Sequence, residues 1–327
     1  MSAATWSAIV LAAAFTFAAR AAEPAKPAIL DPKDAGPDFN VQGEYTGQIT
    51  AADGAKSPLA AQVVALGNGA FLAVLLPGGL PGDGWNGQDR IELSGKTEAD
   101  ATTFAGNGYT ASIAAKAITG QTDKKAKLEL KKVFRRSPTL GAKPPAGAIV
   151  LFDGAKSDEL DNPKLDERKL LFAGVNTKRA FSDFTLHVEF ILPYMPDSAQ
   201  QGRANSGLYL QKRYEVQILD SFGAKLDSGQ CASIYRQRQP SLNMCYPPLS
   251  WQTYDMDFRQ PEWNAAGLKT SNARITLKHN GVVVHDNVQI TNKTGAGSPE
   301  GPLPGPINFQ YHGNPVFFRN IWIGERK

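Results

Sequence analysis

The sequence predicts an all-β chain of two modules, the second an antiparallel β-sandwich. Three observations carry this. The chain has 327 residues, more than one ordinary domain holds. Its apolar residues recur with period two in short runs, and no long segment keeps a helical period. Thirty-one glycines and 22 prolines punctuate those runs. Hydrophobic residues make up 42% and charged residues 20%, which supplies sizeable cores and excludes a disordered chain.

Residues 1–21 read as a secretory signal peptide: Ala8 to Ala19 is apolar but too short to span a bilayer, and Ala19-Arg20-Ala21 offers an A-x-A cleavage site. No Lys or Arg precedes the apolar stretch, which departs from the usual pattern. A periplasmic or secreted protein is expected, with no membrane span after cleavage. Residues 22–38 form a proline-rich tether with no apolar periodicity, expected to be flexible or extended.

Residues 39–136 form a small β accessory domain. Gly43 to Thr50, Leu59 to Gly67, Gly69 to Gly79, Tyr109 to Ala115 and Ala126 to Val133 alternate as strands, with Asp53-Gly54 and Gly106-Asn107-Gly108 as turns. The module holds no histidine. The basic run from Lys124 to Arg136 alternates with apolar residues, as the exposed face of a strand does. With a formal net charge of only +4, no nucleic-acid partner is expected. Residues 137–148, rich in Pro and Gly, form the linker.

Residues 149–327 carry the clearest strands: Asp183 to Leu192, Asn205 to Gln211, Tyr214 to Ser221, Trp251 to Phe258, Ala273 to His279, Gly281 to Val288, Ile307 to His312 and Val316 to Gly324. His279-Asn280-Gly281 is a hairpin turn. Alternation sends Tyr214, Val216 and Ile218 to the core and Glu215 and Gln217 outward. Likewise Ile307, Phe309 and Tyr311 face inward while Asn308, Gln310 and His312 face outward. His187 and Glu189, Asn205, Tyr209 and Gln211, and Asp255 and Asp257 complete the outward set. Gathered on one curved sheet, these side chains would line a groove fitted to a sugar.

The runs DFTLHVEF, NSGLYL, YEVQILDS and INFQYHGNPVFFRNIWI, in this order, resemble the 3-keto-disaccharide hydrolase family over roughly residues 149–327. The resemblance implies a concanavalin A-like jelly-roll sandwich, sugar chemistry and an extracytoplasmic setting. It covers none of residues 1–148.

Glu215 and His312 are the catalytic candidates. A carboxyl on an otherwise apolar strand serves as acid, base or nucleophile, and a histidine beside a turn serves as a proton shuttle. Arg203, Asn205, Tyr209, Gln217, Asp220 and Gln310 are candidate sugar ligands. Arg319 is expected to pair with a carboxylate, Trp251 to pack in the core, and His187, His279 and His285 to be structural or exposed. Tyr194, Tyr235 and Tyr246 are placed on loops able to wall the groove. Asn292-Lys293-Thr294 matches a glycosylation sequon, read as accidental. No cofactor is expected. Loop aspartates such as Asp220 and Asp227 are donors a calcium ion would use, although EF-hand spacing is lacking. Cys231 and Cys245 are expected to form one disulfide, in keeping with export.

Two chemistries fit a 3-keto-glycoside. Its ketone acidifies the C2 proton, so His312 or Glu215 could start an elimination, with Asn205 or Arg203 stabilising the enolate and water adding afterwards. Direct hydrolysis would pair Glu215 with Glu189 or Asp220. A non-catalytic, lectin-like module is the alternative, and an exported scaffold the third reading.

Overall fold

The computed structural model describes residues 27–99 and 101–326. The expected signal peptide and residues 22–26 of the tether lie outside the described residues. The rest of that tether is ordered. Ile29 and Tyr194 exchange backbone hydrogen bonds of 3.0 and 2.9 Å. Pro32–Asp34 form a 3-10 turn capped by Asp31, and Gly36–Val41 form a short helix with proline in its first turn, where a missing N–H costs nothing. Phe39 packs edge-on against Tyr194 at 5.2 Å. Anchoring by these side chains, invisible in a Pro-rich composition, is what overrides the expected flexibility.

Eight antiparallel strands then close into a barrel: β1 (Gly43–Thr50), β2 (Lys56–Ala65), β3 (Ala70–Pro77), β4 (Ile91–Glu98), β5 (Ala101–Gly106), β6 (Tyr109–Ala114), β7 (Ala117–Thr122) and β8 (Lys127–Val133), with β8 pairing back to β1. The barrel is filled by side chains, including Tyr45, Val63, Phe71, Leu93, Phe104 and Leu128.

The remaining strands are β9 (Ile149–Phe152), β10 (Leu171–Phe172), β11 (Val175–Asn176), β12 (Phe184–Ile191), β13 (Ser206–Leu210), β14 (Tyr214–Ile218), β15 (Trp251–Arg259), β16 (Glu262–Trp263), β17 (Lys269–Ser271), β18 (Ala273–His279), β19 (Val282–Ile290), β20 (Asn308–Tyr311) and β21 (Phe317–Glu325). They build the sandwich, with β16 and β17 forming a separate small hairpin. One sheet has seven strands in the order β10-β21-β12-β15-β18-β19, with β9 added to β21. The other has four, ordered β11-β20-β13-β14. Between them lies a core of Leu186, Val188, Phe190, Leu208, Tyr214, Val216, Phe309 and Phe318, among others. Among the described residues no helix is long and apolar enough to cross a membrane.

Barrel and sandwich interlock. Val64 of β2 belongs to the sandwich core, and Tyr194 of the sandwich belongs to the barrel core. Arg90 donates to the Gly223 carbonyl at 2.9 Å, and the Arg135 guanidinium lies 4.9 Å over the Tyr246 ring.

The linker is a strap laid across the outer face of the seven-stranded sheet. Gly141 N–H donates to Glu189 Oε1 at 2.5 Å, and the Thr139 hydroxyl donates to Asp255 Oδ2 at 2.7 Å. Trp322 Nε1 and Asn320 Nδ2 both donate to the Ala142 carbonyl. Beneath it His187 bonds Asp255 at 2.6 Å and stacks on Trp322, while Arg319 bonds Glu189 at 2.7 Å. Trp251, expected in the core, lies half-buried on this outer face under the Arg319 guanidinium, 3.8 Å from its ring centre.

Candidate active site

The outer face of the four-stranded sheet carries two rows of side chains, set by strand register. Asn308, Tyr209 and Glu215 lie directly across from one another on β20, β13 and β14; Gln310, Gly207 and Gln217 form the next row. Because residue 207 has no side chain, its neighbours lean into the gap. A Cβ placed there would meet Glu215 Oε1 at 2.5 Å and Gln310 Oε1 at 2.9 Å. The row is therefore a notch with a glycine floor and two oxygens at its sides.

Glu215 is held on every other side. Its Oε2 accepts the Tyr209 hydroxyl at 2.7 Å, and its backbone N–H donates to Thr294 Oγ1 at 2.6 Å. The chain from 231 to 236 pairs along the free edge of β14, through Tyr235 N–H to the Glu215 carbonyl and Gln217 N–H to the Ser233 carbonyl. The loop after β19 closes over the carboxyl at Gly295. This residue has φ +43°, and a Cβ on it would lie 3.0 Å from Glu215 Oε2. Arg213 anchors this loop through the Pro299 and Leu303 carbonyls, and Glu300 does so through Tyr214 and Lys269. Glu215 is thus 4% exposed. Burial pushes its carboxyl up to about 7, against the pull of the Tyr209 hydrogen bond. Burial and the adjacent carboxyl push Tyr209 up, so it stays a donor. A carboxyl poised near neutrality suits proton transfer.

Two buried acceptors on this face have no partner among the described residues: Gln310 Oε1 and Asn205 Oδ1. Gln217, expected as a free hydroxyl ligand, spends its amide on Gln201 Oε1 at 3.0 Å and on its neighbour's N–H, Ile218, at 2.9 Å. Tyr209 likewise spends its hydroxyl on Glu215.

The other predicted residues lie elsewhere. Arg203 and Asp220 bind each other at 2.6 Å, buried against the barrel, where Arg203 also donates to the Ala65 carbonyl. This geometry turns both away from a sugar. It also removes Asp220 from a calcium set, and Asp227 is engaged in a turn with Gly229 and Gln230. His312 lies exposed beyond the end of β20. By register it sits four residues past the Asn308–Tyr209–Glu215 row, roughly 13 Å along the strand from the Asn308 position. Tyr311, expected in the core, is 52% exposed, because the sandwich interior ends there; it packs on Phe172 at 5.3 Å. Gln211 is buried past the end of β13, donating to the Phe181 carbonyl. Of the loop tyrosines, Tyr194 fills the barrel core, Tyr246 packs under Arg135, and Tyr235 alone approaches Glu215, beside Gly295.

His187, Glu189 and Asp255 face outward as expected, but from the opposite sheet. Burial raises the Glu189 carboxyl, yet hydrogen bonds from His187, Asn320, Gly141 and Arg319 outweigh it and hold it at about 2. Burial lowers His279 to about 3 and His285 to about 4, so both are neutral core residues. Cys231 and Cys245, expected as a disulfide, are free buried thiols. Cys231 Sγ lies 3.1 Å from the Tyr254 hydroxyl, and Cys245 Sγ points at the Leu219 and Tyr246 carbonyls.

Sequence reasoning missed Gly207, Gly295, Thr294 and Gln201. Gly207 lay inside the NSG run. Thr294 lay inside the sequon, where its hydroxyl in fact serves the Glu215 backbone.

The fold is a concanavalin A-like sandwich carried behind an N-terminal barrel. The chain belongs to the family of 3-keto-alpha-glucoside-1,2-lyase-like domains, which matches residues 147–324. A crystal structure from Parabacteroides distasonis, named as a candidate glycosyl hydrolase, aligns at 32% identity with a TM-score of 0.51, covering 56% of this chain and 85% of that one. Two others from the same organism, named alike, align at 15% and 19% identity with TM-scores of 0.39; each covers 55% of this chain, with 94% and 99% of theirs. No curated protein matches the chain.

Proposed function

We propose that the protein cleaves a 3-keto-glycoside by elimination across C1 and C2, followed by hydration, with Glu215 as the proton-transferring group. The observation that carries this is a buried carboxyl poised near neutrality with no second carboxylate beside it among the described residues. Direct hydrolysis uses two carboxyl groups flanking one bond. The two partners it would need are engaged elsewhere: Glu189 under the strap on the other sheet, and Asp220 with Arg203. One carboxyl suffices for elimination.

The Glu215 carboxylate takes the C2 proton, which the C3 ketone has acidified, and the C–H electron pair passes into the enolate. As the enolate collapses, the ketone re-forms, C1=C2 closes and the C1–O bond breaks. Glu215 returns its proton to the departing oxygen, and water then adds across C1=C2. The 1,2-lyase description of the family supports this bond pattern. Tyr209 fixes Oε2 and leaves Oε1 directed over Gly207.

The test is a 3-keto-disaccharide deuterated at C2, beside the ordinary disaccharide. Cleavage of the keto sugar with deuterium lost beyond the enzyme-free control, and a rate reduced about 1,000-fold in Glu215→Gln, is expected. Cleavage with full deuterium retention would replace elimination with direct hydrolysis. Binding without turnover would leave the lectin-like reading.

A further inference from the structure

Glu215 is sealed in this conformation. It is 4% exposed, and the large cavities of the described residues lie elsewhere, over barrel strands β3–β8 and beside Tyr311. A sugar reaches the carboxyl only after part of its surroundings moves. The floor is fixed, because β13, β14 and β20 are joined by a continuous ladder.

Two segments cover the carboxyl, and they are held differently. Residues 231–236 bury Cys231, Ala232 and Ile234 in the sandwich core, so moving them would expose apolar surface. Residues 295–304 bury no apolar side chain: Ala296, Pro299, Pro302 and Pro304 are exposed, and Leu303 is 73% exposed. This second segment rests on the β13–β14 turn through polar contacts. Thr294 N–H donates to the Arg213 carbonyl at 2.9 Å and Ser298 N–H to the Lys212 carbonyl at 2.8 Å, while Arg213 donates to the Pro299 and Leu303 carbonyls. Its one buried side-chain anchor is Glu300, 10% exposed, whose Oε1 accepts the Tyr214 hydroxyl at 2.6 Å and whose Oε2 accepts Lys269 Nζ at 2.7 Å. A segment held by hydrogen bonds and one ion pair, with no apolar side chain buried, opens at the lowest cost.

We propose that residues 294–304 are a lid that excludes substrate while closed, and that the Glu300–Lys269 ion pair is its latch. Closed, Gly295 stands over Glu215 Oε2 between Tyr209 and Tyr235: a Cβ on it would lie 3.0, 3.3 and 3.2 Å from these three groups. Lid and sugar therefore compete for one space, and the apparent affinity is the intrinsic affinity scaled by the open fraction. Glu300 is a positioning residue, acting on the substrate only through the lid. The inference rests on the proposed function, since the lid admits the substrate on which Glu215 acts.

The test uses the full chain as wild type, Glu300→Gln and Lys269→Met; both changes remove the ion pair, and thermal unfolding checks that each variant is folded. Amide exchange at Thr294, Gly297 and Ser298 reports opening, and labelling of the Glu215 carboxyl by a water-soluble carbodiimide, read by mass spectrometry, reports whether opening bares it. Both are expected to rise about tenfold in each variant, with the amides of β13 and β14 unchanged. The kcat/KM for a 3-keto-glucoside should rise by about the same tenfold, with kcat held within about twofold. An ion pair with a merely structural role would speed exchange while leaving Glu215 labelling and kcat/KM at wild-type values, and that result overturns the inference. Unchanged exchange in both variants overturns the assignment of the latch. A wild type that cleaves no 3-keto-glycoside overturns the proposed function, and exchange and labelling then decide the lid by themselves.

Discussion

Tyr209 donates its hydroxyl to Glu215 Oε2 at 2.7 Å from the facing position of the neighbouring strand. The pair is a cross-strand contact in which the hydroxyl fixes one carboxyl oxygen while burial raises the carboxyl's pKa.

Removing that donor should move the pH profile. The hydrogen bond favours the ionised form of Glu215, so Tyr209→Phe raises its pKa above about 7. The acidic limb of kcat/KM should shift to higher pH, and the rate at pH 7 should fall about tenfold while recovering at pH 9. An unshifted limb in a folded variant would separate Tyr209 from the carboxyl's ionisation.

Glu215 should also cost stability. Its folded pKa of about 7 exceeds its ordinary 4.5, so it favours folding below pH 4.5, and that contribution is lost as the pH rises to 7. Glu215→Gln should therefore be about 3 kcal/mol more stable than the wild type at pH 8, and no more stable at pH 4. Urea titrations at the two values check the sign.

Glu189 behaves oppositely. Held at about 2, it stabilises the fold above pH 4.5, and this is lost as the pH falls towards 2. Glu189→Gln should lose about 3 kcal/mol at pH 7 and flatten the acid side of the stability curve. It should also loosen the strap, read as faster amide exchange at Gly141.

Arg203 and Asp220 form a buried pair within the sandwich, where it meets the barrel at Ala65. Either single change, Arg203→Met or Asp220→Leu, should cost about 3–5 kcal/mol by stranding the other charge, and the double change should recover most of it. A double-mutant cycle in urea measures the coupling; additive losses would contradict it.

Cys231 and Cys245 should be silent to a thiol reagent in the folded protein and release two thiols on denaturation. Two thiols found only after reduction would instead indicate a disulfide.

Much of this was legible in the residues. Alternation in YEVQILD assigned Tyr214, Val216 and Ile218 to the core and Glu215 and Gln217 outward, because a half-buried strand must segregate them. It could not say which sheet a strand joins. Glu189 and Glu215 therefore seemed to share a wall, although they face away from each other across the sandwich. Nor could it show Arg203's engagement with Ala65, which depends on a contact spanning 138 positions of chain. Strands β4, β5 and β7 of the barrel went unassigned because their inward residues, such as Leu93, Phe104 and Ile118, are few and set among polar neighbours. Gly207 contributes by lacking a side chain, which no search for chemical groups detects.

The strap bears on where this protein can be cut. The family match opens at residue 147, but Glu189, Asp255 and Trp322 are dressed by residues from Ser137 onward. A fragment trimmed to the match would bare a carboxylate-rich patch to water, whereas one begun at Ser137 keeps its own cover. Either would still surrender the barrel rim that steadies Arg203, so the contacts that complete this sandwich reach beyond the residues it shares with its family.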